Sequence, residues 1–282
     1  MAQLEGRVAL VTGASRGIGA AIAKRFAAEG ASVAVTARSV EPHETLPGTL
    51  LDTVDWIEEH GGEAVAIQAD LSQPAAWPQI VARAREEIGE IDILVNNAAA
   101  AFYLPFTATS EKRFRIAYEI NLHAPWNLAQ LVYPGMRERG EGWILNISSA
   151  TSHHPVGPPF DDFAQTSTLY GSTKAALERV TTGLAAALYD DNIHVNSMAP
   201  VAAVMTEGAT ALGVVPDEAV REAESLEAMA EAALALCSTT DPAMTGRITY
   251  CSPILAELGL PVRTLDGKET LEGPRADQAP RP

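Results

Sequence analysis

Tyr170 and Lys174 stand four residues apart in Tyr170-Gly171-Ser172-Thr173-Lys174. The series Ala175, Leu177, Val180, Leu184 and Leu188 behind them predicts a helix. That spacing puts both side chains on one helix face. A phenol with its ordinary pKa of about 10 is a poor acid at neutral pH. An ammonium beside it favours the phenolate and is expected to lower that pKa. Upstream, Trp143-Ile144-Leu145-Asn146-Ile147 predicts a strand that ends at Ser148-Ser149. A hydroxyl there can hydrogen-bond the same substrate oxygen. Ser149, Tyr170 and Lys174 thus form a set able to protonate the alkoxide made when hydride reaches a ketone.

The elements that must position such chemistry begin near the N-terminus. Thr12-Gly13-Ala14-Ser15-Arg16-Gly17-Ile18-Gly19 follows the short apolar run Val8 to Val11, which reads as a buried strand. After it, Ala20 to Glu29 carries Ile22, Phe26 and Ala27 on one face and stops at Gly30, as a helix does. Glycines in this turn allow close approach of backbone to ligand. The helix N-terminus offers free N–H groups and a positive dipole end to a pyrophosphate. Further strands are expected at Ser32–Thr36, Glu63–Gln68, Ile91–Val95, His194–Met198 and Thr245–Tyr250.

The spacing Gly-x-x-x-Gly-x-Gly, the Asn96-Asn97-Ala98-Ala99 at the end of the fourth strand, and the ordered Ser149, Tyr170 and Lys174 resemble the short-chain dehydrogenase/reductase family. The resemblance runs roughly from Glu5 to Tyr250. It implies one α/β domain over 1–267, a doubly wound seven-stranded parallel sheet of Rossmann type. It implies hydride transfer between a nicotinamide cofactor and a carbonyl or secondary alcohol, with catalytic residues Ser149, Tyr170, Lys174 and Asn121. Tyr170 would exchange the proton, Ser149 position the oxygen, Lys174 tune Tyr170 and hold the ribose, and Asn121 support a relay through water. A homodimer or homotetramer built on the long helices is implied as well. Pro42-His43 and Leu46-Pro47-Gly48-Thr49 are similar to the hydroxysteroid-dehydrogenase-like subgroup, with His43 read as a loop residue.

The expected cofactor contacts are Gly13, Ser15, Arg16, Gly17, Ile18, Gly19, Arg38, Asp70, Leu71, Asn97, Ala98, Tyr170, Lys174, Pro200, Val204 and Thr206. Arg38 lies just past the second strand, where an acid would bind a ribose 2′-hydroxyl and an arginine suits a 2′-phosphate. Thr36, Ala37 and Arg38 include no acid, and Arg16 offers a second guanidinium, so NADP(H) is expected over NAD(H). The resemblance gives Asp70-Leu71 to the adenine; Asp70 can equally cap the helix expected near Pro74. Asn97 and Ala98 are expected to brace the cofactor backbone. The resemblance gives Val204 and Thr206 to the nicotinamide, although Val201 after Pro200 departs from the family's glycine.

Phe102-Tyr103-Leu104-Pro105-Phe106 is expected to floor an apolar substrate pocket or to pack on its own domain. Between Ser149 and Tyr170 the chain is longer than the family pattern. Its prolines and Gly157 forbid a helix in the first half, so it is expected to loop over the site, with Phe160 and Phe163 lining it. His153, His154, Asp161 and Asp162 lack fixed spacing, and no metal is expected. One long helix is expected from Glu111 to Arg137, kinked at Pro125 beside Asn121, and another from Asp217 to Leu236. The tail 268–282 is polar, Pro-rich and expected to be mobile.

A net charge of −16 argues against nucleic acid or an anionic membrane as partner. No apolar run has the length of a membrane span, and the early glycine turn leaves no room for a signal peptide. Two cysteines read as free thiols rather than a disulfide framework. A soluble cytoplasmic protein with a small, apolar carbonyl or alcohol substrate is expected. Reduction of an activated carbon–carbon double bond, or cofactor binding without turnover, are the alternatives.

Overall fold

A computed structural model describes residues 2–40, 47–201, 204, 206 and 224–271. The Pro42-His43 signature lies outside them. Seven strands form one all-parallel sheet in the order β3-β2-β1-β4-β5-β6-β7. They are β1 (Val8–Thr12), β2 (Ser32–Ala37), β3 (Glu63–Gln68), β4 (Ile93–Asn96), β5 (Gly142–Ile147), β6 (Ile193–Ala199) and β7 (Ile248–Tyr250). Strands covered on both faces read as unbroken apolar runs. In β1, Ala9 and Val11 enter one core, while Val8 and Leu10 enter the other.

The first core is closed by α1 (Gly17–Ala28), α2 (Leu50–Glu59), α8 (Leu226–Ser238) and α9 (Cys251–Leu258). The second is closed by α3 (Ala76–Ile88), α5 (Ala124–Arg139) and α7 (Thr168–Ala187). Strand order reverses between β1 and β4, so ligands are received at the carboxyl ends of these strands and of β5 and β6.

Several elements differ from the sequence reading. The long helix is α4 (Glu111–Tyr118), a π-helical turn (Glu119–His123) and α5. Pro125 therefore sits in the first turn of α5, where a missing N–H costs little, and Pro134 is the proline inside the helix. Helix α8 begins at Leu226, where Ser225 caps it by accepting from Ala228 N at 3.0 Å, and the expected start near Asp217 lies outside the described residues. Residues 268–271 are not loose: Arg263 and Thr270 pair antiparallel, and Leu271 N donates to Val262 O at 2.8 Å. Among the described residues no helix is long and apolar enough to cross a membrane.

Candidate active site

The glycine turn leaves β1 and enters α1. Gly13 (φ 66°) and Gly17 (φ 55°) occupy the left-handed region that side chains avoid. A Cβ on Gly19 would collide with the Asn97 amide and with the Gly13 carbonyl. Asn97 Nδ2 donates to Thr12 O at 2.9 Å and Gly13 O at 3.1 Å. Asn97 N and Ala98 N both donate to Thr12 Oγ1, at 3.0 and 3.1 Å. The asparagine thus braces the protein turn itself, one step removed from any ligand. Ser15 is buried and Ile18 half-buried in the same turn. Arg16, at the N-cap of α1, makes no side-chain cap bond. Its Nη2 donates to Gly48 O at 2.8 Å, while its Nε is buried without a partner.

Arg38 is exposed at the end of β2, its carbonyl held by Gln68 Nε2 at 3.0 Å. Among the described residues neither Arg16 nor Arg38 forms an ion pair. A glycine turn at a helix N-terminus, with two guanidinium groups that form no ion pair among the described residues, fits a phosphorylated dinucleotide. Asp70 does not cap α3, which starts at Ala76 after an uncapped Ala75. Its carboxylate instead accepts from Ser72 N at 2.9 Å and closes the turn after β3. Leu71 is buried, its carbonyl accepting from Trp77 Nε1 at 3.1 Å.

Ser149 and Tyr170 approach each other from β5 and α7. The Ser149 hydroxyl lies close enough to Tyr170 to favour its phenolate, and Ser149 Oγ accepts from Thr151 N at 3.2 Å and Thr151 Oγ1 at 3.0 Å. Lys174 is buried, 2% exposed, and donates from Nζ to Ile147 O at 2.6 Å. Its Nζ lies 5.6 Å from the centre of the Tyr170 ring. The two side chains share a helix face, but the expected lowering of the phenol pKa is not what the site produces. Burial pushes Tyr170 up, the Tyr103 phenol adds to that, and the Ser149 hydrogen bond acts the other way. Burial lowers Lys174 to about 8, opposed by the charge of Glu178.

Asn121 lies in the π turn. It accepts from Ala100 N at 2.8 Å and donates to Ala100 O at 3.1 Å and Thr173 Oγ1 at 2.9 Å. It ties the loop after β4 to the helix that carries Tyr170. Pro125 has no N–H to give the Asn121 carbonyl, which is left without an α-helical donor.

Sequence reasoning passed over four features. Gly171 is required because a Cβ there would strike the Thr151 carbonyl oxygen, so only glycine lets α7 close on the turn after Ser149. Asn96, Asn146 and Thr181 form a buried chain of two 2.9 Å bonds across β4, β5 and α7. Tyr103 packs edge-on against Tyr170 at 5.6 Å and stacks on Phe163 at 5.7 Å. Glu224, buried, accepts from Val201 N at 2.5 Å and Ser252 Oγ at 2.6 Å, and so clamps the chain after β6. Only the aromatic character of Phe102–Phe106 hinted at any of these.

Phe106 is 82% exposed and floors nothing; Tyr103 takes that place. Phe160 is half exposed against Gly157, and Phe163 opens α6 (Asp162–Thr166). Leu104 N donates to Thr166 O at 2.9 Å, joining the two loops. Pro200 is half-buried, Val204 is buried in a bridge with Glu224, and Thr206 N donates to Val204 O at 2.8 Å. His153 bonds Tyr250 at 3.0 Å and Asp161 caps α6, so neither is arranged for a metal.

A family model described as short chain dehydrogenase matches residues 7–213. The chain belongs to the short-chain dehydrogenase family. It is a nicotinamide-dependent oxidoreductase that moves hydride to or from a carbonyl or alcohol carbon. It is 31% identical over 258 residues to hydroxysteroid dehydrogenase-like protein 2 of Danio rerio, covering 92% of this chain but 60% of that one. A solved 7 alpha-hydroxysteroid dehydrogenase complexed with NADH and 7-oxo glycochenodeoxycholic acid superposes with a TM-score of 0.77 at 32% identity, over 88% and 93% of the two chains. A 3-oxoacyl (acyl-carrier-protein) reductase of Agrobacterium tumefaciens C58 with NADP bound gives 0.75 at 32% identity, over 88% and 93%.

Proposed function

We propose that this member uses NADP(H) to interconvert a small apolar ketone and its secondary alcohol, with Tyr170 as proton donor and acceptor. The observation that carries this reading is the Ser149 hydroxyl beside Tyr170, with Lys174 buried one helical turn behind it. The glycine turn from Gly13 to Gly19 would hold the cofactor's pyrophosphate, Arg16 and Arg38 its 2′-phosphate, and Asp70 and Leu71 its adenine. Pro200, Val204 and Thr206 would face the nicotinamide. When bound, the cofactor supplies or accepts the hydride. Ser149 orients the substrate oxygen, Tyr170 gives it a proton, and Lys174 holds a positive charge below the ring and reaches the ribose. Asn121 steadies the helix and would support a water at its carbonyl, which Pro125 cannot serve as i+4 donor. Burial keeps the Tyr170 phenol protonated at pH 7, so giving up its proton relies on the Lys174 charge and the Ser149 hydroxyl to stabilise the phenolate.

Tyr103 and Phe163 give the substrate an apolar wall, in keeping with hydroxysteroid-type relatives. Exposed Phe114 and Trp126 on α4 and α5 support association of the long helices into a homodimer or homotetramer. The two buried free thiols, Cys237 and Cys251, support a reducing, cytoplasmic setting. Ketones and alcohols of graded size, offered with NADPH, NADH and their oxidised forms and followed by nicotinamide absorbance, test the reading. Turnover of apolar ketones with NADPH is expected. Equal use of NADH would overturn the cofactor assignment.

A further inference from the structure

Three consecutive residues at the end of β5 each meet a different residue of α7. The Ile147 carbonyl accepts from Lys174, Ser148 Oγ donates to Glu178 Oε1 at 2.6 Å, and the Ser149 hydroxyl lies beside Tyr170. The outer two rungs belong to the proton-transfer set proposed above. The middle one has had no role. We propose that Glu178, anchored by Ser148, is a positioning residue of this site: it fixes α7 against the end of β5 and supplies the negative charge that a buried ammonium at Lys174 requires.

The inference rests on Lys174 acting in the reaction. A buried ammonium is costly unless charge and hydrogen bonds compensate it. Ile147 O is the hydrogen-bond acceptor at Lys174 among the described residues. Glu178 follows one helical turn later on the same face. An untethered surface carboxylate would contribute little there, because solvent screens it. Ser148 removes that freedom: a short O–H···O⁻ bond is among the stronger hydrogen bonds and holds the carboxylate inward. Glu178 is also the charge that opposes the lowering of Lys174 by burial.

Other titratable groups around α7 do not supply that charge. Tyr170 and Tyr103 are neutral phenols on the substrate side. Tyr250, from the end of β7, is raised by burial and by Glu178, with His153 behind it. Tyr118 bonds Ser172 on the outer side. Glu119 pairs with His123, and Glu111 with Arg115.

The test is the pH dependence of kcat for the best ketone found with NADPH, in the parent, Glu178→Gln, Ser148→Ala and Ser148→Thr. Reduction should fade on the alkaline side as Lys174 loses its proton. In Glu178→Gln that limb should move to lower pH by roughly half a unit, about threefold in the protonation equilibrium. Ser148→Ala should move it part of the way, and Ser148→Thr, which keeps the hydroxyl, should restore it. Urea unfolding of the protein without cofactor gives an independent readout. The gain in stability that starts near pH 8 in the parent should start lower in Glu178→Gln. An unmoved limb with an unmoved stability profile overturns the inference, even if kcat falls. Should Glu178→Gln not fold, Ser148→Ala against Ser148→Thr decides by the same two measurements. Full activity in Lys174→Met would instead overturn the proton-transfer reading beneath it.

Discussion

At Tyr170 two effects compete, and their balance sets what the residue can do. Burial disfavours the phenolate, while the Ser149 hydroxyl stabilises it. Tyr170→Phe keeps the ring and its contact with Tyr103 but removes the exchangeable proton. A positioned general acid contributes about 10²–10⁴ in rate. Steady-state kcat should therefore fall at least about a hundredfold, with NADPH affinity unchanged by titration. Arg38 makes a separate prediction. A charge-assisted phosphate contact is worth about 1.5–3 kcal/mol. Arg38→Ala should weaken NADPH binding roughly tenfold to a hundredfold and leave NADH unaffected in fluorescence titration. Tyr170, Lys174 and Ser149 were legible because each has a rare chemistry at a fixed offset from a recognisable element. Glu178 and the role of Ser148 were not. Their importance comes from partners on other elements, which one-dimensional spacing does not encode.

Helix α7 approaches the turn after β5 as closely as backbone allows, and Gly171 is the reason. Gly171→Ala should suit the helix by propensity, by about 1 kcal/mol. The collision with Thr151 should outweigh this, since overpacking costs about 1–3 kcal/mol. A lower melting temperature and a kcat reduced by tenfold or more are expected, because the shift moves Tyr170 away from Ser149. Phe163→Ala should raise KM for bulky ketones several-fold and leave cofactor affinity alone, since the stack on Tyr103 is lost while the glycine turn is untouched. Equal KM values for parent and variant would remove Phe163 from the substrate wall. Elements were read well where apolar runs had clear stops. β3, Glu63–Gln68, matched end to end behind Gly62. The π turn was invisible because one extra residue barely disturbs the apolar pattern around it. The cap at Ser225 was not legible because Ser225 looks like any other serine until its bond to Ala228 is seen.

Across the whole molecule, buried titratable groups set how stability varies with pH. Lys174 has a folded pKa of about 8 and an unfolded value of 10.5. Between these values the unfolded chain binds more protons, so this group makes stability rise with pH. The cost of burying its charge is complete below about pH 8 and gone above about 10.5, roughly 3 kcal/mol in all. Lys174→Met should thus be more stable than the parent at pH 7 by calorimetry, and that advantage should shrink across this window. The thiols act oppositely. Burial raises both Cys237 and Cys251, so the stability they contribute is present below about pH 9 and lost as pH rises beyond it. Parent stability minus that of Lys174→Met isolates the lysine from the thiols.

The contact between Asn97 and the glycine turn also has a temporal side. Gly13 to Gly19 leave a ribosome well before the side chain that steadies them, which belongs to residue 97. The strand that brings it, β4, inserts against β1 on the edge left open by β2 and β3. At about 5–20 residues per second, roughly 80 further residues take about 4–16 s to synthesise. Throughout that interval β1 presents an unpaired edge, and a nascent chain with its first three strands already made still has no finished nucleotide cradle. Cofactor capture can therefore guard this protein only after the sheet's centre has closed. Until then the segment from β1 to β3 must be protected by something other than its own ligand.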